Sequence, residues 1–574
     1  MNPNTNQPKE KYLVTSALPY ANGPLHFGHL AGVYLPADIY CRHQKALGKS
    51  VLHICGSDEH GVAIMLAAEK AGMAYQAYVD MWHTRHVDLM AQYGIEFDFY
   101  GRTTAPYHER EVLRWFHELN HNGYIEKRSD KQLYCNHCPR FLPDRYVEGE
   151  CYVCGYANAR GDECPNCGEW IDALRLIHPT CKICNSNNID VKDSEQWYLL
   201  LTKLAEKFQP WFEQKRHWRP HVWGYVNSLL SQGLVDRAIT RDLEWGIPVP
   251  LPDAAGKRLY VWFDAPIGYV SNTQEFLSRN GSKEDAIKDW WANPTTRVIH
   301  FIGKDNIIFH GLIWPCMILG TGFVNLPVEV PASNFVNLEG KQFSKSSGWY
   351  VDSTKTVEVF GQDAVRFYLC TLIPESHDSN FSWDGFLRVN TQLSNNIGNF
   401  INRVATFVEK HWSDGLLGGT FAQALTEGTL RELAGFVAAI RDPLDSIEHQ
   451  RAITGLLKLG EAANEAFHAR EPWKVIKSDK DAAAIVIANS LAYILVICSV
   501  VRPFLPGFAA SLYRYFQPNI SDEILDRVYR GDMSALTEYF SNGYQLPLKP
   551  GPLLPRIDPK SVDEFRLTEK PTSQ

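Results

Sequence analysis

The chain has 574 residues and a formal net charge of −8, from 57 lysines and arginines against 65 aspartates and glutamates. Hydrophobic residues make up 45% and charged residues 21%, as in ordinary globular proteins, so this composition excludes a disordered chain, a collagen-like repeat and a protein that coats nucleic acid through bulk charge. A specific nucleic-acid partner remains open, because a basic patch can lie on an acidic molecule. At roughly 100–200 residues per domain, the length predicts about three to five domains.

The first residues, MNPNTNQPKEKYLV, are polar and lack the apolar segment of a secretory signal. We therefore expect a cytoplasmic protein with reduced thiols, whose residues 1–10 form a disordered tail. One later segment, residues 482–501, has 20 residues without a charge, which is the length of a membrane span. Four polar residues interrupt it: Asn489, Ser490, Tyr493 and Ser499. This interruption favours a buried helix over a membrane span, and we expect no membrane partner.

In chain order, the first elements are a short buried strand at residues 12–18, a helix at 29–47, a second buried strand at 51–55 and a helix from about 61. Strand, helix and strand in this order predict a parallel α/β sheet. Further helices are predicted at 75–93 and 106–122. The apolar segments 258–263 and 297–303 predict two buried strands in the second half of the same sheet.

Two later regions have a different character. Between about residues 125 and 190 cysteine, glycine, asparagine and proline dominate, which indicates a small inserted module without a large core. From about residue 385 to 545 the pattern is mostly helical. The proline-rich segment from 546 onward predicts a tail that lies extended over the surface.

Eight of the 13 cysteines form four C-x-x-C pairs: Cys135/Cys138, Cys151/Cys154, Cys164/Cys167 and Cys181/Cys184. Each such turn directs two sulfurs at one point, and two turns complete a tetrahedral Cys₄ zinc site, so four turns predict two structural Zn²⁺ sites. Redox dithiols, unpaired thiols and iron–sulfur ligation fit the paired spacing less well. The spacing leaves sequential and nested pairing open. The other five cysteines are predicted to be buried apolar residues: Cys41, Cys55, Cys316, Cys370 and Cys498.

Two loops carry residues suited to phosphate chemistry. In ALPYANGPLHFGH (17–29), Gly28 permits close approach to the backbone, His26 and His29 can donate hydrogen bonds, and a helix N-terminus follows. In KQFSKSSG (341–348), Lys345 suits a pyrophosphate leaving group. Each signal is weak alone, because loop histidines are often solvated or bind metal, and loops rich in lysine and serine are common at surfaces.

Together the two loops resemble the two signature motifs of class I aminoacyl-tRNA synthetases. The runs TSALPYANGPLHFGHLAG, CGSDEHG, YVWFDAPIGY, HFIGKDNIIFHGLIWP and FSKSSG resemble the methionyl-tRNA synthetase family, over about residues 11–545. The resemblance implies ATP-dependent activation of L-methionine to methionyl-adenylate, with Mg²⁺ accompanying ATP, and then transfer of methionine to the 3′ end of tRNA(Met).

The resemblance also implies an α/β fold: a Rossmann-type parallel-sheet catalytic domain with an inserted zinc-knuckle module, followed by an α-helical bundle that binds the anticodon. We expect the catalytic domain at residues 11–124 and 240–330, the insertion at 125–239, a signature-lysine and stem-contact region at 331–384, the helical domain at 385–545 and the extended tail at 546–574.

The signature loops supply the residues that the resemblance places on ATP. His26, His29 and Lys345 are implied as catalytic residues. The implied ATP-binding residues are His26, Gly28, His29, Lys304, Asp305, Val336 and Lys345. Gln342 departs from the family pattern by replacing its first loop lysine, which leaves Lys345 with most of the positive charge of this loop. Phe27 and Phe343 are apolar replacements.

For methionine, the resemblance implies that Asp58 binds the α-amino group through a charge-assisted hydrogen bond. The alternative is that Asp58 only caps a helix that starts near Gly61. The implied methionine pocket consists of Ala17, Leu18, Tyr20, Asp58, Trp262, Ala265, Pro266, Tyr269, Phe309 and His310. Aromatic rings suit a thioether, although Trp262 and Tyr269 alone would be interpreted as core residues.

The family's helical domain reads the anticodon, and the resemblance implies Asn399, Arg403 and Trp473 as anticodon-binding residues. Asn399 and Arg403 stand four apart, hence on one helix face, although such residues are usually only solvated. The family also favours nested metal sites: one zinc ion bound by Cys151, Cys154, Cys164 and Cys167, and the other by Cys135, Cys138, Cys181 and Cys184.

Two expected absences complete the comparison with the family. The sequence has no large editing insertion, and too few residues follow the helical domain for an appended dimerising domain, so we expect a monomer. Two other functions remain as alternatives: a related class I synthetase, such as one for cysteine, and a non-enzymatic tRNA-binding paralogue. The nearly intact motifs argue against the second, since only Gln342 departs.

Overall fold

The computed structural model describes residues 10–169, 171–282, 286–343, 349–516, 520–545 and 553–568. Three sequence predictions therefore lie wholly or partly outside the described residues. They concern the disordered tail at residues 1–10, the catalytic role of Lys345 and the first part of the proline-rich tail.

A five-stranded sheet with parallel pairing throughout lies at the centre of the first half of the molecule. Its strands in spatial order are Ala332–Ser333, Thr296–Gly303, Lys11–Ser16, Ser50–Ser57 and Phe99–Arg102. The three middle strands are buried along nearly their whole length, because helices cover the sheet. The predicted parallel α/β sheet and its strands near 12–18, 51–55 and 297–303 are confirmed.

The strand predicted at 258–263 is wrong. Lys257–Leu259 instead pairs antiparallel with Thr240–Asp242 in a separate two-stranded sheet, and Val261–Asp264 is a helical turn. A short apolar run fits a buried strand and a buried helical turn equally well. The turn leads through Pro266 into the helix Ile267–Arg279, and it brings Trp262 to a cavity described below.

Helices flank the central sheet, and the predicted ones near 29–47, 61, 75–93 and 106–122 are present. Their bounds are Phe27–His29, Leu35–Ala46, Val62–Ala71, Tyr75–Gln92, Pro106–His121, Ile267–Arg279, Ala286–Trp291 and Trp314–Thr321. Two π-helical turns, Leu30–Tyr34 and Phe309–Ile313, and a 3₁₀ turn, Lys304–Asn306, interrupt this set. All three turns lie next to residues implied to bind substrate, which is where π-turns frequently occur.

The inserted module rests on a long antiparallel pair that sequence analysis did not find. Ile125–Cys135 pairs with Ile189–Leu199 over eleven residues, and Arg140–Phe141 and Arg237–Ala238 extend this sheet at its edges. A smaller sheet joins Ala159–Arg160, Val147–Glu150 and Ile177–Cys181. Helices Leu201–Phe212 and Pro220–Gln232 return the chain to the catalytic part, together with short 3₁₀ turns at Asp144–Tyr146, Ala173–Arg175 and Glu213–Lys215.

A three-stranded sheet leads from the catalytic part into the helical part. It consists of Lys341–Gln342, Val336–Leu338 and Ser379–Phe381. Helices Ser353–Phe360, Gln362–Thr371 and Trp383–Leu393 surround it. A π-helical turn, Ser394–Gly398, then begins the helical part.

The helical part is confirmed as such. Its helices are Asn399–His411, Gly418–Ala424, Glu427–Asp445, His449–Ala469, Pro472–Val475, Lys480–Val501, Pro506–Tyr513, Asp522–Arg530 and Ser534–Phe540. Lys480–Val501 is long and apolar enough to cross a membrane, but 94% of its most apolar window is buried inside the protein. Core helices of this kind pass the same length and hydropathy criteria, and the predicted buried helix is confirmed.

The prediction of an extended tail at residues 546–574 is wrong for its second part, because Pro559–Thr568 forms a helix. Val562 and Phe565 on one face are buried, and the Phe565 ring lies 5.3 Å from that of Phe360 and 5.4 Å from that of Trp383. Proline at the first helical position does not interrupt a helix, so the proline-rich composition was misleading here.

Candidate active site and metal centres

A cavity of about 670 Å³ lies at the carboxyl ends of the central parallel strands. Ala17, Asp58 and Lys304 each follow directly after one of these strands and line it, which is where ligands of parallel α/β sheets bind. All sixteen described residues that sequence analysis implied for ATP and methionine line this one cavity: Ala17, Leu18, Tyr20, His26, Gly28, His29, Asp58, Trp262, Ala265, Pro266, Tyr269, Lys304, Asp305, Phe309, His310 and Val336.

The two signature histidines hold each other and the first helical turn. The backbone N–H of Gly28 donates to His26 Nδ1 at 3.1 Å, and the backbone N–H of His26 donates to His29 Nδ1 at 3.1 Å. Because both Nδ1 atoms accept, each neutral ring carries its proton on Nε2, where it is a donor for an anion. A side chain at position 28 would place Cβ 2.9 Å from His26 Cε1 and would therefore displace the His26 ring.

Phe343 links the second signature loop to the first. Its ring is stacked on that of His26, with centroids 4.6 Å apart and an interplanar angle of 1°. Gln342 and Phe343 both line the cavity, and residues 344–348 with Lys345 lie outside the described residues. The second signature motif therefore enters at the wall of the cavity that carries His26.

Asp58 is a buried carboxylate whose Oδ1 has no hydrogen-bond partner among the described residues. Burial, and then the nearby Asp264 carboxylate, raise the pKa of Asp58 well above its usual value. The backbone of Asp58 is fixed by hydrogen bonds to Pro19 and Ala21. Its alternative role as a helix cap is wrong, because Gly61 occupies the cap position of Val62–Ala71 without a side-chain cap. An orphaned carboxylate oxygen in a cavity fits a ligand cation.

The opposite wall is aromatic. His310 Nδ1 donates to the carbonyl of Asn306 at 3.2 Å, so its Nε2 accepts the hydroxyl proton of Tyr269 at 2.8 Å. Burial lowers the pKa of His310 to about 4 and keeps this ring neutral. The Trp262 indole N–H donates to the Tyr20 hydroxyl, and the Trp262 ring lies edge-on to Phe309. Tyr269 is both a core residue and a cavity residue, so its two interpretations are compatible.

Lys304 and Asp305 lie at the rim between the central sheet and the connecting sheet. Lys304 Nζ forms an ion pair with Asp378 at 2.7 Å and lies 4.0 Å from the centre of the Phe335 ring. Burial raises the pKa of Asp305. Both residues line the cavity next to Val336.

Sequence reasoning missed the contribution of the cysteine-rich module to this cavity. Arg145, Asp162, Glu163 and Gly168 of the module line it, and Arg145 Nε forms an ion pair with Asp162 at 3.3 Å. No motif marks these residues.

The eight paired cysteines form two groups, and the nesting that the resemblance favoured is confirmed. Sulfur distances are 3.6 Å for Cys135–Cys184 and 3.5 Å for Cys138–Cys181 in the outer group. In the inner group they are 3.9 Å for Cys151–Cys167 and 3.7 Å for Cys154–Cys164. Zn–S bonds of about 2.3 Å in a tetrahedron require sulfurs about 3.8 Å apart, so both groups fit Zn²⁺.

The long antiparallel pair explains the nesting. Its register sets Cys135 opposite Ile189, so the first and last knuckles meet at the end of the pair and the two middle knuckles lie between them. In the inner group the side-chain amide of Asn166 donates to the Cys154 sulfur and lowers the pKa of this thiol to about 6, toward the thiolate that binds metal. The five remaining cysteines are buried, as predicted.

The anticodon candidates lie in the helical part. The Arg403 guanidinium lies 4.9 Å from the centre of the Phe467 ring and 5.5 Å from that of Trp473. Asn399 is exposed one turn earlier on the same helix, Asn399–His411. The structure thus brings Arg403 and Trp473 together on one surface, with Asn399 beside it, and their role in binding RNA stays a prediction.

Comparison with known proteins agrees with the family that the sequence motifs resemble. The family model for class I tRNA synthetases (M) matches residues 12–405, and that for the anticodon binding domain of methionyl tRNA ligase matches residues 418–567. A methionine–tRNA ligase of Rubrobacter xylanophilus is 41% identical, over 88% of this chain and 90% of that protein. The corresponding protein of Thermococcus kodakarensis is also 41% identical, over 88% and 70%.

A solved structure has the same fold. The methionyl-tRNA synthetase of Mycobacterium tuberculosis, in complex with methionyl-adenylate, superposes with a TM-score of 0.75 at 22% identity, over 95% of this chain and 100% of that chain. The family matches, the identity to the curated relatives and the fold agree. The chain belongs to the methionine–tRNA ligase family of class I aminoacyl-tRNA synthetases.

Proposed function

We propose that the protein activates L-methionine with ATP, giving methionyl-adenylate and pyrophosphate, and then transfers methionine to the 3′ end of tRNA(Met) for initiation and elongation. The observation that carries the proposal is that three kinds of group share one cavity. They are the buried carboxylate of Asp58, whose Oδ1 has no partner among the described residues, an aromatic wall around Tyr269, and two imidazole donors, His26 and His29. These groups match the ammonium, the thioether and the phosphates of the reactants.

In the activation step a methionine carboxylate oxygen attacks the α-phosphorus of ATP. The new O–P bond forms as the bond to the leaving group breaks, and its electron pair leaves with pyrophosphate. The protein forms no covalent bond. Asp58 holds the ammonium, and His26 and His29 donate Nε2–H to phosphate oxygens, so catalysis is positioning plus electrostatic stabilisation. Asp305 with Lys304 is proposed to hold the ribose, and Lys345 to neutralise the leaving pyrophosphate, with Mg²⁺ on ATP.

In the transfer step a hydroxyl of the terminal ribose of tRNA attacks the methionyl carbonyl carbon, and AMP leaves. This tRNA is proposed to be recognised at its anticodon by Asn399, Arg403 and Trp473, since single-stranded bases stack on aromatic rings and guanidinium planes.

The metal centres are proposed to bind two Zn²⁺ ions with a structural role. Each ion would use four thiolates, so no coordination position remains for a substrate. The ions would hold the wall formed by Asp162, Glu163 and Gly168 against the cavity. We further propose that the protein acts in the cytoplasm and that it is a monomer. Light scattering at several protein concentrations tests the oligomeric state.

The decisive experiment is pyrophosphate exchange with each of the twenty amino acids. We expect exchange with methionine alone. Exchange with cysteine instead would support a different class I synthetase, and no exchange with any amino acid would support a non-enzymatic tRNA-binding paralogue. Charging of tRNA(Met) transcripts with altered anticodons then tests the second half of the proposal.

A further inference from the structure

The helix His449–Ala469 connects the catalytic part to the anticodon surface. Its 21 residues span about 32 Å at 1.5 Å per residue. At its first residue, the buried His449, the backbone N–H donates to Glu375 Oε1. The ring Nδ1 lies 3.1 Å from the same oxygen, and the ring Nε2 lies 3.0 Å from the carbonyl oxygen of Pro36. Gln450 adds a hydrogen bond to the carbonyl of Ile373 at 2.7 Å.

The partners of the His449 ring are both hydrogen-bond acceptors. Its two nitrogens face a carboxylate oxygen of Glu375 and the carbonyl of Pro36, so a side chain that fills this site must present donors in both directions. Burial alone would raise the pKa of Glu375, but the hydrogen bond and charge of His449, together with the charge of Arg219, lower it. The result is a buried, hydrogen-bonded contact between the first residue of the helix and Glu375.

The chain just before the helix is also held tightly. Arg219 donates to the carbonyls of Ala332 and Ile447. Ile447 has a φ of 58°, a left-handed conformation that β-branched residues avoid. Such a conformation persists only where its surroundings impose it. The start of the helix therefore has a fixed position on the catalytic part.

The other end of the same helix supports the anticodon candidates. The Phe467 ring lies 4.9 Å from the Arg403 guanidinium and 5.9 Å from the Trp473 ring. About one turn before Phe467, Asn464 donates to the carbonyl of Asn396 at 2.6 Å, in the π-turn that precedes Asn399. Asn396 in turn donates to the carbonyl of Leu457 at 2.8 Å. A movement of Arg403, Trp473 or the turn before Asn399 would therefore act directly on this helix.

The Pro36 carbonyl places the near end of the helix on the signature element. Pro36 lies in the first turn of Leu35–Ala46, which continues the π-turn Leu30–Tyr34 and the turn that carries His26 and His29. We propose that His449 is a positioning residue that couples the anticodon surface, through the helix His449–Ala469, to the signature histidines, and so sets the rate of transfer to tRNA. The inference rests on the proposed function, because it assumes that Trp473 contacts the anticodon.

The test is a double-mutant cycle between His449→Gln and Trp473→Ala. Glutamine keeps one donor but cannot reach both Glu375 and the Pro36 carbonyl as the two ring nitrogens do. We expect methionine-dependent pyrophosphate exchange without tRNA to stay within about twofold in His449→Gln, and kcat of charging to fall about tenfold with KM for tRNA within about threefold, in the range of typical coupling energies. Trp473→Ala should lower kcat of charging much less in the His449→Gln background than in the wild type.

The matched control is Arg451→Ala, which removes a cation with a side chain 74% exposed, in the same first turn of the helix. It should change neither exchange nor charging by more than about twofold. Additive effects in the cycle, or an equal fall of exchange and charging in His449→Gln, would overturn the proposal, because either result describes a local structural role.

If His449→Gln fails to fold, as its melting temperature would reveal, Glu375→Gln replaces it. This variant keeps the size and one acceptor of Glu375 and removes its charge. The same separation of exchange from charging is expected, and its absence overturns the proposal. Failure of the proposed function gives a different result, since the wild-type protein would then show no methionine-dependent exchange.

Discussion

Asp58→Asn is the sharpest test of the cavity, because it removes one charge and keeps the shape of the side chain. Asp58 is buried, and its Oδ1 lacks a partner among the described residues. Hydrogen bonds to charged groups contribute about 1.5–3 kcal/mol. At 1.4 kcal/mol for each factor of ten, KM for methionine should rise about 10- to 150-fold.

The assay is pyrophosphate exchange at varied methionine and at varied ATP. We expect KM for ATP to stay within about twofold, because the phosphate donors are His26 and His29, on another loop. The control is Asp253→Asn, an exposed carboxylate 2.7 Å from Lys127, which should change neither constant. An unchanged KM for methionine in Asp58→Asn would refute the assignment of Asp58 to the ammonium.

Asp58→Asn should also change how KM for methionine depends on pH. Burial and the Asp264 carboxylate raise the pKa of Asp58, so a proton competes with the methionine ammonium at low pH. KM for methionine should therefore fall as the pH rises through this raised pKa, and asparagine should abolish that dependence. A profile that is identical in both proteins would contradict the argument.

Three further predictions concern the loop, the metals and the tail. Lys345→Ala should lower the activation rate about 10²–10³-fold in single-turnover assays with little change in methionine affinity, and an unchanged rate would remove Lys345 from the mechanism. Metal analysis should find two zinc ions per chain, with one lost in Cys138→Ser and the other in Cys154→Ser, whereas one ion in the wild type would contradict the two-site assignment. Phe565→Ala should lower the free energy of unfolding in urea by about 3 kcal/mol, and the exposed Leu567→Ala on the same helix by less than about 0.5 kcal/mol; equal effects would contradict the packing of the tail helix.

The parallel sheet was predictable because its strands are buried on both faces and are therefore mostly apolar, as in Leu13–Val14 and, apart from His300, 298–302. The antiparallel pair of the insertion was not, because polar and charged residues fill most of both strands, so that no clear alternation of apolar and polar residues marks them. The strand predicted at residues 258–263 was wrong because a short apolar run does not distinguish a strand from a helical turn.

The site was predictable as a set of residues but not as a geometry. The motifs identified sixteen residues that line one cavity. Nothing in them indicated that Phe343 stacks on His26, or that Arg145 and Asp162 close one side. These contacts join segments more than a hundred residues apart, and local sequence carries no information about such distances. The role of Asp58 was ambiguous in sequence for a similar reason, because a helix cap and a ligand have the same local pattern.

Because the cysteine groups are nested, the segment that carries the inner metal site could be deleted without removing any cysteine of the outer site. Val147 is paired with Cys181, so the chain leaves and returns at neighbouring positions around the inner group. A deletion between them, closed by a short turn, would keep all four outer cysteines and the strand pair beneath them. It would also remove Asp162 and Glu163 from the cavity. Gain or loss of one metal ion in evolution is thereby tied to the shape of the substrate cavity, with the rest of the fold unaffected.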